Sequence, residues 1–182
     1  GDTLMRRMKV DVAKDLPTIE YIKFEEVMPD EQFDFYKNEL FKINRLKENS
    51  ENNDRFLQGI RNLKSISDHP YLKYYQLEKI ATDKLIEVSA KLRKVVAILG
   101  EIKVLNEKAI LFTENKSMQR VLRRIIGECF AINSSIINGE TPTSKSKNNK
   151  AKLSRQQEID NFQTKTGFNV IIMSPVAAGF GL

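Results

Sequence analysis

The chain has few of the side chains that enzymes use for acid–base, nucleophilic or metal chemistry. His69 is the only histidine and Cys129 the only cysteine. Serine–histidine and cysteine–histidine catalysis are therefore excluded unless His69 is the base, and sites built on several histidines or thiolates are excluded altogether. His69 precedes Pro70, which favours a packed turn over a catalytic role. We predict no catalytic and no metal-ligating residue in this chain.

Phosphate chemistry has no complete signature either. The chain contains no GxxxxGK phosphate loop, so it cannot form that kind of nucleotide site by itself. Asp30-Glu31 is similar to an acidic pair that binds magnesium, but such a pair needs a buried strand directly before it. Met28-Pro29 precedes it instead, so we expect Asp30 to cap a helix.

The positive charge is concentrated in one stretch. The chain carries 30 Lys and Arg against 24 Asp and Glu, a net charge of +6. Residues 116–157 hold nine basic and two acidic side chains, net +7, and the remainder is nearly neutral. Such a concentration favours a polyanionic partner, although a solvated basic loop would carry the same charge.

The composition is typical of a folded intracellular protein. Of the 182 residues, 41% are hydrophobic and 30% charged, enough to bury a core without disulfides. No apolar run approaches the ~20 residues of a membrane span, and no signal sequence opens the chain. We expect no membrane partner and a cytoplasmic location, associated with the nucleoid in a prokaryote or nuclear in a eukaryote.

The first part of the chain, to about residue 106, has mostly helical periodicity. Ile19 to Val27 alternate loosely, which predicts a short strand. A helix from Asp30 is predicted to bury Phe33, Tyr36, Leu40 and Ile43. A second helix should end near His69-Pro70, and a third should run from about Asp83 to Ile102.

From Lys108 onward strands and helices alternate. Apolar runs predict strands at Ala109–Phe112, Ile132–Ile137 and Val170–Met173, the first buried on both faces. The intervening helices should begin at Ser117 and, through a capping box with Gln157, at Ser154. This alternation predicts a parallel sheet whose ligands bind beyond the carboxyl ends of the strands. Those ends lie at residues 113–116, 138–143 and 174–181.

Seven sequence segments follow one another along the chain in an order that resembles a known protein family. They are LMRRMKVDVAKDLP (4–17), PDEQFDFY (29–36), LQGIRNLKSISDHPYL (57–72), SAKLRKVVAIL (89–99), KAILFTENKSM (108–118), INGETP with RQQEIDNF (137–142 and 155–162), and VIIMSPVAAGFGL (170–182). Together they resemble the Swi/Snf-type helicase-like ATPases of superfamily 2. The resemblance covers the segment that joins the two RecA-like lobes and the first half of the second lobe.

The resemblance implies an α/β chain: a helical N-terminal segment, residues 1–106, followed by a partial RecA-like parallel three-layer α/β lobe, residues 107–182. It implies an ATP-dependent DNA translocase or helicase that uses ATP and Mg²⁺ and binds double-stranded DNA and its own first RecA-like lobe. The family's phosphate loop and acidic pair precede the matched segment, and its arginine-bearing motif follows it. We therefore expect a fragment, truncated at the motif that residues 170–182 resemble, that alone binds no ATP and hydrolyses none. Its unpaired sheet edge should favour self-association.

The site residues follow from the resemblance and from the predicted loops. Backbone N–H groups, hydroxyls, helix N-termini and basic side chains can bind phosphates independently of sequence. The expected DNA contacts are Lys116, Ser117, Gly139, Thr141, Arg155 and Ser174, and the expected nucleotide contacts are Gly179 and Gly181.

Two departures from the family pattern concern this site. Pro175, Val176 and Ala178 replace the usual threonine, arginine and first glycine of the last motif, and Glu114-Asn115 puts an acid near the expected phosphate path. A second function stays open: a non-catalytic basic α/β module that docks nucleic acid or protein.

Overall fold

A computed structural model describes residues 19–46, 53–73, 75–143 and 153–178. Residues 19–29 form neither a helix nor a strand, so the strand predicted at Ile19–Val27 is wrong. This stretch lies beside a later helix, where Lys94 pairs with Glu26 at 2.9 Å and lies over the Phe24 ring. Without a neighbouring strand, loose alternation of apolar residues is not sufficient for a sheet.

Five helical elements follow. Helices α1 (Asp30–Leu46) and α2 (Asn53–Asp68) pack against each other, and α2 ends before His69-Pro70 as predicted. After a 3₁₀ turn at Leu77–Lys79 come α3 (Thr82–Glu87) and α4 (Ala90–Val104). The single helix predicted from Asp83 is thus two, because the Ser89 hydroxyl accepts a hydrogen bond from Leu92 N and caps a new helix.

The buried face of α1 differs from the predicted one. Ile43 is buried, but Phe33 and Leu40 are exposed, while Gln32 and Glu39 are buried. Gln32 joins three helices: Nε2 donates to Ile66 O at 2.8 Å, and Oε1 accepts from Ala90 N at 3.0 Å. The end of α2 and the start of α4 leave main-chain groups without helical partners, and a buried amide satisfies them better than an apolar side chain would.

The second part of the chain forms a three-stranded parallel sheet. The order along the chain is β1 (Lys108–Phe112), α5 (Lys116–Phe130), β2 (Ser135–Ile137), α6 (Arg155–Thr164), β3 (Asn169–Met173) and α7 (Pro175–Ala178). In the sheet the order is β1-β3-β2. Ser154 and Gln157 form the predicted capping box of α6. The α/β fold class with a helical N-terminal segment is confirmed.

Two buried clusters cover the sheet. On one face, Leu85 and Leu92 of the helical segment pack with Val121 of α5 and with Ile172 of β3. On the other face, α6 contributes to a smaller cluster with β2 and β3. The central strand β3 is buried along its whole length. The domain boundary at residue 106 remains a prediction, since the larger cluster contains residues from both sides of it.

Strand β1 is covered on one face only. Ala109 is buried, but Ile110 and Phe112, on the opposite face, are 48% and 56% exposed. The prediction that this strand is buried on both faces is therefore wrong: α6 packs against β2 and β3, reaches β1 at Lys108, and leaves Ile110 and Phe112 exposed. Among the described helices, none combines the length and the apolar composition that crossing a bilayer requires.

Candidate nucleic-acid interface

The parallel register brings the carboxyl ends of all three strands to one edge. Phe112, Met173 and Ile137 are in register at the ends of their strands. Two main-chain hydrogen bonds extend the ladder by one residue: Thr113 N donates to Met173 O at 3.0 Å, and Ser174 N donates to Ile137 O at 2.9 Å. The three loops that follow the strands therefore lie side by side, as predicted for the ligand-binding edge.

The first loop, residues 113–115, leads into α5. The predicted cap, Ser117, is the second residue of this helix, and the cap is Asn115. Its Oδ1 accepts from Ser117 N at 2.9 Å and from Met118 N at 3.2 Å. Two of the first N–H groups of α5 are thereby satisfied within the chain. The Ser117 hydroxyl accepts a hydrogen bond from Arg120 Nη2 at 3.1 Å.

Gln119 connects the first and second loops. This side chain of α5 is 1% exposed, although glutamine is usually a surface residue. Its Nε2 donates to Thr113 O at 2.8 Å, and its Oε1 accepts from Asn138 Nδ2 at 2.7 Å. One buried amide therefore fixes the spacing between the loops. Neither Gln119 nor Asn138 was expected at this edge from the sequence.

The second loop, residues 138–143, is a tight turn held by its own side chains. The Thr141 hydroxyl accepts from Asn138 N at 3.0 Å and donates to Ile136 O at 3.2 Å. The hydroxyl expected to bind phosphate is thus already engaged in the turn. Gly139 is exposed, and a Cβ added there would meet no atom within 4 Å. The turn itself therefore does not require a glycine at this position.

Arg155, the first residue of α6, also holds the second loop. Its Nε donates to Thr141 O at 3.1 Å, and its Nη2 donates to Asn138 O at 3.4 Å. Its main-chain N donates to Pro142 O at 2.8 Å. The half-buried guanidinium is consequently bound to carbonyl groups that shape the interface.

The third loop begins at Ser174, whose Oγ accepts a hydrogen bond from Ala177 N at 3.2 Å. This bond caps the short helix α7. The expected nucleotide contacts, Gly179 and Gly181, lie outside the described residues. Four lysines of the basic stretch 116–157 also lie outside them: Lys145, Lys147, Lys150 and Lys152.

A row of cations follows one side of α5. Lys116, Arg120 and Arg123 are spaced four and three residues apart, which places them on one helix face. They line a cleft of about 490 Å³ together with Thr141 and Glu140 of the second loop and with residues 133–136, which lead into β2. Lys116 was expected at the site, whereas Arg120 and Arg123 were not. Their helical spacing was the signal available in the sequence.

Each acid at this edge is paired with a lysine. Glu114, expected to lie near the phosphate path, is 2.7 Å from Lys64 of α2, so the helical segment balances its charge. The hydrogen bond and the opposite charge lower the pKa of Glu114 below its ordinary value and raise that of Lys64. Glu140 of the second loop is 2.6 Å from Lys116. Both carboxylates of the described loops, Glu114 and Glu140, are therefore neutralised by lysines of the same chain.

Within the described ranges, no group of three His, Cys, Asp or Glu side chains lies close enough to bind a metal. The chemistry that these residues can perform is the binding of an extended polyanion through positive side chains and main-chain donors.

Comparison with curated proteins finds two relatives. The Zorya protein ZorD of Escherichia coli O139:H28 (strain E24377A / ETEC) is 44% identical over 95 residues, 52% of this chain. The proposed ATP-dependent helicase/translocase YwqA of Bacillus subtilis (strain 168) is 30% identical over 128 residues, 69% of this chain. The matches span only 8% and 12% of those two proteins. No family model matches the chain.

Solved structures define the fold. The SWI2/SNF2 ATPase core of Sulfolobus solfataricus in complex with double-stranded DNA has a TM-score of 0.65 and 23% identity, covering 81% of this chain and 29% of that one. A second structure, of the Sulfolobus solfataricus SWI2/SNF2 ATPase core domain, has a TM-score of 0.68 and 24% identity, covering 86% of this chain and 30% of that one. The chain has the fold of part of a SWI2/SNF2 ATPase core.

Proposed function

We propose that this chain is part of an ATP-dependent DNA translocase of the Swi/Snf type and that its carboxyl edge binds the backbone of duplex DNA. The observation that carries the proposal is the row of Lys116, Arg120 and Arg123 along a cleft that is lined by the second loop and by residues 133–136, which lead into β2. The similarity to an ATPase core solved with double-stranded DNA supports duplex DNA as the polyanion.

A translocase must bind every DNA sequence that it passes. It should therefore contact phosphates through cations and main-chain donors rather than through base edges. The interface fits this requirement, because several of its polar side chains, such as Thr141 and Arg155, are occupied in shaping the loops. The cations on α5 then provide most of the attraction.

The salt dependence of binding tests this proposal. We compare duplex binding by the chain and by a double variant, Arg120→Gln with Arg123→Gln, on two unrelated sequences. Each lost phosphate contact should change the slope of log K against log salt by about 0.9, so the slope should become shallower by about 2 on both sequences. The control is Arg55→Gln with Arg93→Gln, which removes the same charge from exposed residues outside the cleft. An equal loss in the control would contradict the proposed site.

ATP hydrolysis should belong to the whole protein. Phosphoryl transfer needs a phosphate cradle, magnesium ligands and an arginine that stabilises the transition state. We expect the chain alone to show no ATPase activity and the whole protein to hydrolyse ATP faster with duplex DNA, because DNA bound across both lobes would favour a closed cleft.

The substitution Gly181→Asp tests the proposed nucleotide contact. A carboxylate there would hinder a close approach of the main chain and add negative charge beside the phosphates, so DNA-stimulated turnover should be abolished. Full stimulated turnover in this variant would remove Gly181 from the site. Duplex binding without any turnover in the whole wild-type protein would favour the alternative, a non-catalytic docking module.

A further inference from the structure

Glu140 and Lys116, which both line the cleft, form an ion pair. Lys116 Nζ donates to Glu140 Oε1 at 2.6 Å. Lys116 is in the first turn of α5 and Glu140 is in the second loop, and both side chains line the cleft together with Arg120 and Arg123. The carboxylate therefore lies on the same surface as the cations that would bind a polyanion.

The position of Glu140 is fixed by the same contacts that shape the interface. Its main-chain N donates to Asn138 Oδ1 at 2.9 Å. Asn138 in turn donates through Nδ2 to Gln119 Oε1 at 2.7 Å, within the helix that carries Lys116. Because one chain of hydrogen bonds holds both partners, the main chain that bears the carboxylate is held in place opposite the lysine.

A carboxylate offers a lysine much the same interaction as a phosphate: negative charge and oxygen acceptors. We propose that Glu140 is an internal competitor for DNA phosphate, which limits the affinity of this interface. Lys116 exchanges the Glu140 carboxylate for a phosphate when the chain binds DNA and returns to it on release. The inference rests on the proposed function, because it assigns a regulating residue to the same DNA-binding edge.

The exchange has a physical advantage for an enzyme that steps along DNA. When Lys116 releases a phosphate, the Glu140 carboxylate can pair with it directly, so no counterion has to come from solution. A contact between exposed charges contributes little binding free energy, so neither the bound nor the released state is strongly favoured. The interface can then make and break the contact repeatedly.

A double-variant cycle tests the inference. Glu140→Gln keeps the size of the side chain and removes its charge, so the chain should bind duplex DNA about two- to five-fold more tightly at physiological salt. In a Lys116→Gln background, the same change should have no effect, because the masked cation is gone. The control is Glu128→Gln, which removes an equal charge from an ion pair with Arg124 near the other end of α5. This control should leave the affinity within about 1.5-fold.

Each result decides between the possibilities. Equal tightening by Glu140→Gln and Glu128→Gln would mean that only net charge matters, and tightening that persists without Lys116 would mean that Glu140 acts on another group. Either result overturns the inference. If the wild-type chain binds no duplex, the proposed function fails, and the same cycle with inorganic polyphosphate then decides whether Glu140 masks Lys116. Thermal melting of every variant shows whether it is folded, and Glu140→Ala replaces Glu140→Gln if the latter is not.

Discussion

Replacing Gln119 with methionine should separate the first and second loops and lower the stability of the chain. Methionine has a similar length and volume, so it leaves no large cavity, but it makes neither hydrogen bond of the glutamine. The variant would leave Thr113 O without its 2.8 Å donor and Asn138 Nδ2 without its 2.7 Å acceptor.

The expected loss follows from these two bonds. A hydrogen bond contributes about 0.5–1.5 kcal/mol net, and a buried group left without a partner costs about 1–3 kcal/mol. Both partners here are part-buried, so water can replace some of the lost bonding, and we expect a loss of about 2 kcal/mol. For a chain of this size, such a loss lowers the melting temperature by roughly 4–8 °C.

Urea unfolding followed by circular dichroism measures this change directly. The matched control is Gln156→Met in α6, whose side chain is exposed and bonds Asp160 on the surface, and it should leave the stability within about 0.5 kcal/mol. DNA binding should also weaken in Gln119→Met, because the two loops would lose their fixed spacing. A variant as stable as wild type would refute the conclusion that this amide holds the edge together.

Three further predictions concern the rest of the fold. Gly59→Ala should lower the unfolding free energy by about 1–3 kcal/mol, because the added methyl group would clash with α1. Gly100→Ala, whose methyl group would meet no atom within 4 Å, should raise it by about 0.5–1 kcal/mol, and thermal melts that rank the two variants in the opposite order would contradict the packing. Burial lowers the pKa of His69 below its ordinary 6.5, so the unfolded chain binds the proton better than the folded chain. The unfolding free energy should therefore fall as the pH drops below about 6.5, by at most about 1.4 kcal/mol per pH unit. Urea titrations of His69→Asn should lack this part of the pH dependence. The exposed face of β1 should promote self-association, so Ile110→Ser with Phe112→Ser should shift sedimentation toward the monomer, and a wild-type chain that is monomeric at high concentration would contradict this.

Strand β3 and the capping box of α6 could be predicted because their signals are local. Val170–Met173 is an unbroken apolar run, and Ser154 with Gln157 is a pattern of four residues. The predicted start of α5 at Ser117 was wrong, since the N-cap is Asn115. Asparagine and serine are both good N-caps, and only the path of the chain leaving β1 decides between them.

The polar core could not be predicted in the same way. Gln32 and Gln119 are buried because main-chain groups from distant segments need donors and acceptors at those points, and no local pattern records this. The face of β1 had the same difficulty: an apolar run indicates burial, but whether a helix covers Ile110 and Phe112 depends on where α6 crosses. The spacing of Lys116, Arg120 and Arg123 indicates that they lie on one face of α5, but the sequence does not show that this face lines a cleft.

The cluster shared by the helical segment and the sheet determines how force would pass through the molecule. Leu85 and Val121 lie in one core, and moving the helices away from the sheet would expose several such side chains at about 1.5–3 kcal/mol each. We therefore expect the helices and the sheet to rotate together as one rigid body. Bending is expected in residues 19–29 instead, where Tyr21 and Val27 are 88% exposed and no core resists it. A torque applied beyond that stretch would reach the carboxyl edge as a rotation of the whole interface rather than as a distortion of its loops.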